Sequence, residues 1–301
     1  MLKKILSVIA AAAVMPTAAH AAFKDINEYS AEYKAVSELD ALGIVEGDEN
    51  GNFNPHDTVT RAEFTKMVII ALGDEQLAKS FTMTGFEDCG GHWAMGYIEA
   101  GVTDGFISGY SKEKFGPDDD VTYVQAVKML VAATGYTVYA ENSGGWPSGY
   151  IKYGGSLGIT KGVSGIENNT PLTRATIAVL IDNALDVPLT LSTYPGSITI
   201  LDGRQGRDYE TLLTNKHDAY RVKGRITNTS RSSGLKKGYV DYRVEVSDCF
   251  DGTAYSSNNA ETFQVRVGDV NMTDWLFIYS EALIQKEDMT DEYVMLTIRA
   301  K

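Results

Sequence analysis

At 301 residues, with 44% apolar, 22% charged and 10% aromatic residues, the chain is long enough for two or three domains with cores of their own. Its net charge of -13 is uneven: residues 22–189 hold 11 Lys/Arg against 24 Asp/Glu, and residues 190–301 hold 14 against 16. So acidic a first part argues against nucleic acid or an anionic membrane surface as the main partner, and any anionic ligand has to be caught by a local cation.

The N-terminus reads as an export signal. Met1-Leu2-Lys3-Lys4 is a basic start, Ile5 to Val14 an apolar core too short to span a bilayer, and Ala19-His20-Ala21 a small-residue cleavage site. The mature chain is expected to begin near Ala22, and no later stretch approaches transmembrane length. The two cysteines, Cys89 and Cys249, fall in different expected domains. Two buried thiols are favoured over a disulfide, and no Cys/His cluster has metal-ligand spacing.

Next comes a unit met three times. Thr60-Arg61-Ala62-Glu63-Phe64 is a capping box followed by apolar residues at helical spacing, so a helix starts there with an arginine in its first turn. The slot recurs as Thr122-Tyr123-Val124-Gln125-Ala126 and Thr173-Arg174-Ala175-Thr176-Ile177. In the third copy Thr176 replaces the glutamate, which removes the reciprocal cap. Upstream of each threonine lies a glycine-bounded loop: Gly43-Ile44-Val45-Glu46-Gly47, Gly105-Phe106-Ile107-Ser108-Gly109 and Gly158-Ile159-Thr160-Lys161-Gly162. The first glycine is the expected C-cap of a preceding helix, and the second is expected to allow another tight turn. Phe53-Asn54-Pro55 and Phe115-Gly116-Pro117 precede their threonines by one offset, and Asn168 stands where the third copy lacks the proline.

Further upstream, Trp93-Ala94-Met95-Gly96-Tyr97-Ile98 matches Trp146-Pro147-Ser148-Gly149-Tyr150-Ile151, and Phe23-Lys24-Asp25 returns as Phe86-Glu87-Asp88. The unit is therefore helix, glycine-bounded loop, capped helix. Each capped helix carries one apolar stripe, such as Phe64, Met67, Val68, Ala71 and Leu72. A two-helix unit cannot bury its stripe alone, so three are expected to close into a pseudo-threefold bundle with the capped helices inside, with Gly73 to Gly85 and Thr137 to Gly145 as the connecting segments.

From Phe23 to about Val187 the chain resembles three tandem S-layer homology domains, carried by Phe-x-Asp at 23–25 and 86–88, Trp93-Ala94, the Gly-(Ile/Phe)-x-x-Gly loops, Phe-x-Pro and the Thr-Arg-Ala-Glu slot. The repeats run over 22–75, 76–136 and 137–187. The resemblance implies a helical, three-lobed fold with grooves between lobes. It also implies non-covalent anchoring to a bacterial cell wall's secondary polysaccharide, an anionic and often pyruvylated partner. Beside it stands a physical case: a helix N-terminus with unpaired N–H groups favours an anion, and a first-turn arginine grips a carboxylate with a planar fork. Arg61 and Arg174 are thus expected to make two competent sites, with Tyr123 marking a degenerate or sugar-only groove. Trp93 and Trp146 are either core or a face for a sugar ring, and Asp25 and Asp88 are expected to accept hydroxyl hydrogen bonds. Thr60, Glu63, Thr122 and Gln125 read mainly as caps.

Two other patterns close quickly. Asp48 to Asn52 hints at a calcium loop, but Phe53 and Val59 stand where a glycine and a bidentate glutamate are needed, so it reads as a turn. Asp118-Asp119-Asp120 precedes a helix start and reads as dipole-favourable charge.

After Pro188 the texture becomes β. Strand alternation appears at Tyr220–Ile226, Val240–Val246, Phe263–Val267, Ala282–Ile284 and Val294/Leu296/Ile298, with a short helix expected at Thr273–Tyr279. Five strands with a helix before the fourth is the order of an OB-like barrel. Through Tyr220-Arg221-Val222-Lys223-Gly224-Arg225 the region also resembles β-domains that follow S-layer homology triplets in clostridial surface proteins. Arg221, Lys223, Arg225, Arg231, Lys236 and Lys237 cluster on the first two strands, either as a solvated face or as a contact for an anionic glycan or protein.

No nucleophile, acid–base pair, phosphate loop or cofactor motif stands out. The expectation is a multi-domain, exported, wall-anchored surface protein displaying a β-domain over 190–301. It is expected to be no enzyme, to need no cofactor or metal, and to have other surface-layer subunits as candidate partners. The alternatives are a wall-anchored enzyme working through 190–301 and an adhesion module.

Overall fold

The computed structural model describes residues 23–194, 197–200, 202–204, 208–231, 234–250, 253–287 and 290–301. The export signal expected over residues 1–21 lies outside the described residues, as does the side chain of Cys249. Cys89 is a buried free thiol; burial first, and neighbouring Asp88 second, push its pKa up to about 12.

The helical part follows the expected unit. Helix α1 (Tyr33–Ala41) leads through the first glycine loop to α2 (Arg61–Ala71), which is followed by a short α3 (Glu75–Ser80). The pattern repeats as α4 (Met95–Thr103), α5 (Tyr123–Ala133) and a short α6 (Thr137–Asn142), and then as α7 (Ser148–Ser156) and α8 (Arg174–Leu185). The connecting segments thus carry α3 and α6. The reason lies in a glycine. A Cβ at Gly96 would meet Ala78 O at 2.2 Å, and one at Gly149 would meet Ala140 O at 2.1 Å. Each Trp-x-x-Gly helix therefore rests its backbone on the short helix before it, over a buried Ala78 or Ala140.

Glycine works differently at the two ends of the first two loops, while Gly162, at the end of the third, has the positive φ of the expected second turn. Gly43, Gly105 and Gly158 have positive φ and end their helices in the left-handed conformation. Gly47 and Gly109 do not turn the chain as expected. A Cβ there would collide at 2.5 and 2.4 Å with the rings of Phe23 and Phe86, the aromatics of the Phe-x-Asp motifs.

Three residues just before or at the capping positions close the bundle. Val59 N–H donates to Leu172 O (3.1 Å), Leu172 N–H to Val121 O (3.0 Å) and Val121 N–H to Val59 O (2.8 Å), a cyclic triangle on a pseudo-threefold axis. All three side chains are buried. Around that axis the capped helices bury most of their circumference rather than one stripe: α2 buries Ala62, Phe64, Thr65, Met67, Val68, Ile69 and Ala71.

The C-terminal part begins with a hairpin, β1 (Thr190–Tyr194) with β2 (Ser197–Ile200), and a small ladder, β3 (Asp202–Arg204) with β4 (Asp208–Tyr209). After α9 (Leu212–His217) come β5 (Ala219–Thr229), β6 (Tyr239–Phe250), β7 (Thr253–Tyr255), β8 (Glu261–Arg266), β9 (Tyr279–Glu287) and β10 (Glu292–Ala300). Strands β5, β9, β10, β8 and β6 pair in that order, and β6 pairs back onto β5. That closes a five-stranded barrel in which only β8 and β10 run parallel. Both the OB-like strand order and the small helix before the fourth strand are present, the helix being one 3₁₀ turn at Thr273–Trp275. The expected alternation holds on β5, where Tyr220, Val222 and Ile226 face the barrel core. It fails on β10. An irregularity between Met295 and Thr297 turns Leu296 out of the barrel, while Ile298 stays with its core.

Leu296 has somewhere to go, because the barrel is docked on the helical bundle. Leu212, Leu213, Ala219 and Leu283 belong to the helical core. Between them runs an ion cluster: Arg221 Nε binds Glu38 Oε2 (2.7 Å), its Nη2 binds Asp182 Oδ1 (2.5 Å), and Nη1 pairs with Asp186. Lys34 bridges Glu38 (3.0 Å) and Asp182 (2.9 Å) from the other side. Arg221 is thus no part of a free basic face. Lys223 pairs with Glu281, Arg225 with Glu245, Lys236 with Glu292 and Lys237 with Asp269, so the barrel's own carboxylates answer most of that cluster. The docking surface is the C-terminal pole of the central helices. His217 Nε2 lies 3.0 Å from Ala71 O at the end of α2, and Thr190 N–H donates to Thr134 O at the end of α5 (3.3 Å). No helix among the described residues is long and apolar enough to cross a membrane.

Candidate functional site

The opposite pole carries the helix starts. Thr60 N–H donates to Glu63 Oε2 (2.8 Å) while Glu63 N–H donates back to Thr60 Oγ1 (3.2 Å), and Thr122 N–H donates to Gln125 Oε1 (3.1 Å). Thr176 N–H reaches Thr173 Oγ1 at 3.4 Å and the two hydroxyls touch, a weaker cap than the glutamate gives.

The first-turn N–H groups are not free for an anion, contrary to the expectation from helix starts alone. Arg61 and Ala62 donate theirs to Asp119 O and Pro117 O, Tyr123 and Val124 to Thr170 O and Asn168 O, and Arg174 and Ala175 to Asp57 O and Pro55 O. Each helix start is plugged into the loop of another repeat, so these donors hold the ring together. Any ligand at this pole is therefore left to side chains.

The two arginines take one geometry. Arg61 Nε donates to Phe115 O (3.0 Å) and Nη2 to Ser108 O (3.3 Å); Arg174 Nε donates to Phe53 O (2.8 Å) and Nη2 to Glu46 O (2.8 Å). Arg61 stacks on Phe115 (4.4 Å) and Tyr110 (4.7 Å), and Arg174 on Phe53 (4.7 Å). Part of each fork is therefore spent on the glycine loop, leaving the Nη1 end for a ligand. Burial pushes the Arg61 pKa below its ordinary value. Where Tyr123 replaces arginine, Asn183 Nδ2 meets Lys161 O (2.8 Å), the loop carbonyl that corresponds to Ser108 O and Glu46 O, and also Ile159 O (3.0 Å). Tyr123 itself is buried in the core.

Asp25 and Asp88 shape the loops. Asp25 accepts from Phe53 N–H (2.7 Å) and Asn54 N–H (2.6 Å), and Asp88 from Phe115 N–H (3.0 Å) and Gly116 N–H (2.7 Å). Burial opposes the Asp88 charge, yet those two amides hold its carboxyl below the ordinary value. The turns they bind place Asn54 and Gly116 in the left-handed region. Asp48 Oδ1 likewise accepts from Asn50 N–H and Asn52 N–H (both 2.9 Å), and its Oδ2 from the Asn52 and Asn54 side chains, a closed turn.

Both tryptophans stand out from the core, Trp93 at 56% and Trp146 at 50% exposure. Trp146 borders a groove of about 260 Å³ lined by Arg61, Ser108, Gly109, Tyr110, Phe115, Gln125, Lys128 and Met129. Lys128 is the residue that the sequence reading missed. Its Nζ lies 5.5 Å from the Trp146 ring centre, 5.9 Å from that of Tyr150 and 3.3 Å from Ser108 Oγ. Burial lowers its pKa. Neither Arg61 nor Lys128 has a carboxylate within ion-pair distance among the described residues. The missed signal was positional: Lys66, Lys128 and Val179 each stand six residues after their capping threonine.

The groove is thus a half-open slot with two cations at its floor and a tryptophan face at its rim. Comparison with known proteins agrees with the first two repeats. The family described as S-layer homology domain matches residues 22–65 and 85–127. The chain is 34% identical over 221 residues to a surface layer protein of Brevibacillus choshinensis, covering 71% of this chain and 19% of that protein. It is 35% identical over 183 residues to the middle cell wall protein of Brevibacillus brevis, covering 60% and 17%, and 30% identical over 138 residues to an endoglucanase of a Bacillus strain, covering 46% and 14%. The chain spans less than a fifth of the length of these curated relatives. The helical part carries S-layer homology domains over residues 22–65 and 85–127 and is followed by a β-barrel domain, in a protein of the bacterial cell surface.

Proposed function

We propose that the helical bundle anchors the chain non-covalently to the cell wall by binding an acidic secondary polysaccharide, and that residues 137–187 act as a third S-layer homology repeat. One observation carries the ligand's chemistry: Arg61 and Lys128 converge, without a carboxylate partner among the described residues, beneath the exposed Trp146. A desolvated guanidinium and ammonium side by side call for an anion, and a tryptophan beside them suits the apolar face of a sugar ring. A pyruvate ketal on a hexose meets both demands. Its carboxylate reaches the open Nη1 end of Arg61 and Lys128 Nζ, while its ring lies toward Trp146. The barrel, fixed to the far pole, is what the anchor displays.

Co-sedimentation with purified walls tests this reading. Arg61→Ala and Lys128→Ala should each weaken binding by roughly ten-fold or more, and Tyr123→Phe should leave it unchanged. Walls stripped chemically of their secondary polymer should lose the interaction. Undiminished binding to stripped walls, or equal losses for all three variants, would overturn the assignment.

A further inference from the structure

The groove over Arg61 has a sister at the neighbouring junction, where Arg174 plugs into the first repeat's loop. The two are built from corresponding slots. Arg174 stands for Arg61, Lys66 for Lys128 and Trp93 for Trp146, but Glu46 takes the place of Ser108 and Glu63 the place of Gln125. Both differences run one way. Glu46 Oε2 lies 3.9 Å from Lys66 Nζ and is well exposed, so the ammonium that is unpaired in one groove meets a carboxylate in the other. Glu63 keeps its capping bond to Thr60 through Oε2, and its charge remains at the helix start. Glu141 acts on Lys128, and Asp119 and Asp88 on Arg61, only from beyond ion-pair distance, whereas Lys66 has Glu46 at 3.9 Å and Glu63 fills the slot of the neutral Gln125.

We infer that the two grooves read different sugars: the Arg61–Lys128 groove takes the carboxylate-bearing residue, and the Arg174–Lys66 groove takes a residue without net charge. The third junction, with Tyr123 and Val179 in these slots, supplies neither cation. One chain would then hold one acidic residue and one neutral residue of a polymer, which fixes the direction in which the strand crosses the bundle. This rests on the anchoring reading above and sharpens it. The two reciprocal carboxylates are the specificity-determining residues.

The test uses the full chain and two small probes, the pyruvate ketal of a methyl hexoside and its methyl ester. Trp93→Phe leaves Trp146 to report one groove, Trp146→Phe leaves Trp93 to report the other, and Trp275 in the barrel supplies a constant background. The acid should bind at Trp146 on the order of ten-fold more tightly than the ester, while at Trp93 it should gain nothing over the ester. Glu46→Ser with Glu63→Gln copies the second repeat, where Gln125 already serves as the cap, and should give Trp93 the acid preference. Ser108→Glu with Gln125→Glu should abolish that preference at Trp146. Equal acid-to-ester ratios at both tryptophans overturn the inference and leave the anchoring reading standing, as does an unchanged Trp93 ratio in the double variant. A Trp93 groove that binds neither probe also overturns it. Silence at Trp146 as well removes the anchoring reading and the inference with it.

Discussion

Arg221→Met is the most informative perturbation of the junction between barrel and bundle. It removes the ion pairs to Glu38, Asp182 and Asp186 while keeping much of the side-chain volume. Glu38 and Asp182 are nearly buried, with side chains 8% and 9% exposed, and would be left with Lys34 alone. Removing one partner of a buried pair costs about 3–5 kcal/mol; the surviving Lys34 and the half-exposed Asp186 reduce this to about 2–3 kcal/mol. For a chain of this size that is roughly a 5 °C fall in the midpoint of thermal unfolding. In a Trp93→Phe, Trp146→Phe background, urea unfolding followed by far-ultraviolet dichroism and the fluorescence of Trp275 should give coincident transitions for the parent, whose helical core extends through Leu212, Leu213, Ala219 and Leu283. In the variant the barrel signal should move to lower urea than the helical one. Adding Glu38→Gln and Asp182→Asn should recover at least half of the loss, because no uncompensated charge then remains. A loss below about 0.5 kcal/mol, or a triple variant no more stable than the single one, would refute the reasoning.

Three further outcomes follow from local geometry. Gly96→Ala and Gly149→Ala each place a methyl within van der Waals overlap of a backbone carbonyl, so each should cost about 1–3 kcal/mol by denaturant titration, whereas Gly91→Ala, with open space around it, should cost only the strain of its positive φ. Asp88→Asn removes the negative charge from two amide bonds and should destabilise by about 1–3 kcal/mol; wall binding should fall with it, since Phe115 O is an Arg61 acceptor. Glu281 carries a pKa lowered to about 2: burial opposes its charge, but Lys301 and Arg299 outweigh that. A lowered folded-state pKa gives stability that is present above the ordinary carboxyl value and lost as pH falls toward 2. The stability difference between parent and Glu281→Gln should therefore be full at neutral pH and shrink below about pH 4, and a difference independent of pH would contradict the assignment.

The fold was legible wherever a local rule acted within one unit. Thr60, Thr122 and Thr173 announce helix starts because a hydroxyl, a backbone N–H and a residue three positions on meet within one turn. Tyr220, Val222 and Ile226 announce a strand because one face of it is wet or differently packed. What stayed hidden depends on a neighbour far away in sequence. The first-turn N–H groups look unpaired until Pro117, Asn168 and Pro55 arrive from other repeats. Arg221 looks like a solvated strand residue until Glu38 and Asp182 are brought against it. Leu296 keeps its place in the alternation on paper, and only the irregularity in β10 turns it outward. Lys128 was overlooked for another reason. It sits on the flank of a helix where a lysine is unremarkable, and its worth comes from Trp146 and Ser108, which belong to other segments.

The geometry also explains why the arginine slot is the one that varies. In a ring where each helix start closes onto another repeat's loop, backbone groups cannot be changed without opening the ring, and the threonine and Asp25 or Asp88 are tied to them. The first-turn side chain is tied less tightly. When arginine is lost at Tyr123, Asn183 from the third repeat's own α8 takes over one of the arginine's carbonyl slots, Lys161 O, and the bundle still closes. Structural and ligand-facing duties are thus separable at one position. A ring of three equal junctions can become three unequal grooves by changing a few side chains, two of them between the Arg61 and Arg174 junctions. The barrel covers the pole where helix C-termini lie and leaves the pole with the grooves open. Differences in charge among Arg61, Tyr123 and Arg174 and their neighbours therefore fall on the surface where they alter binding at least expense to the fold.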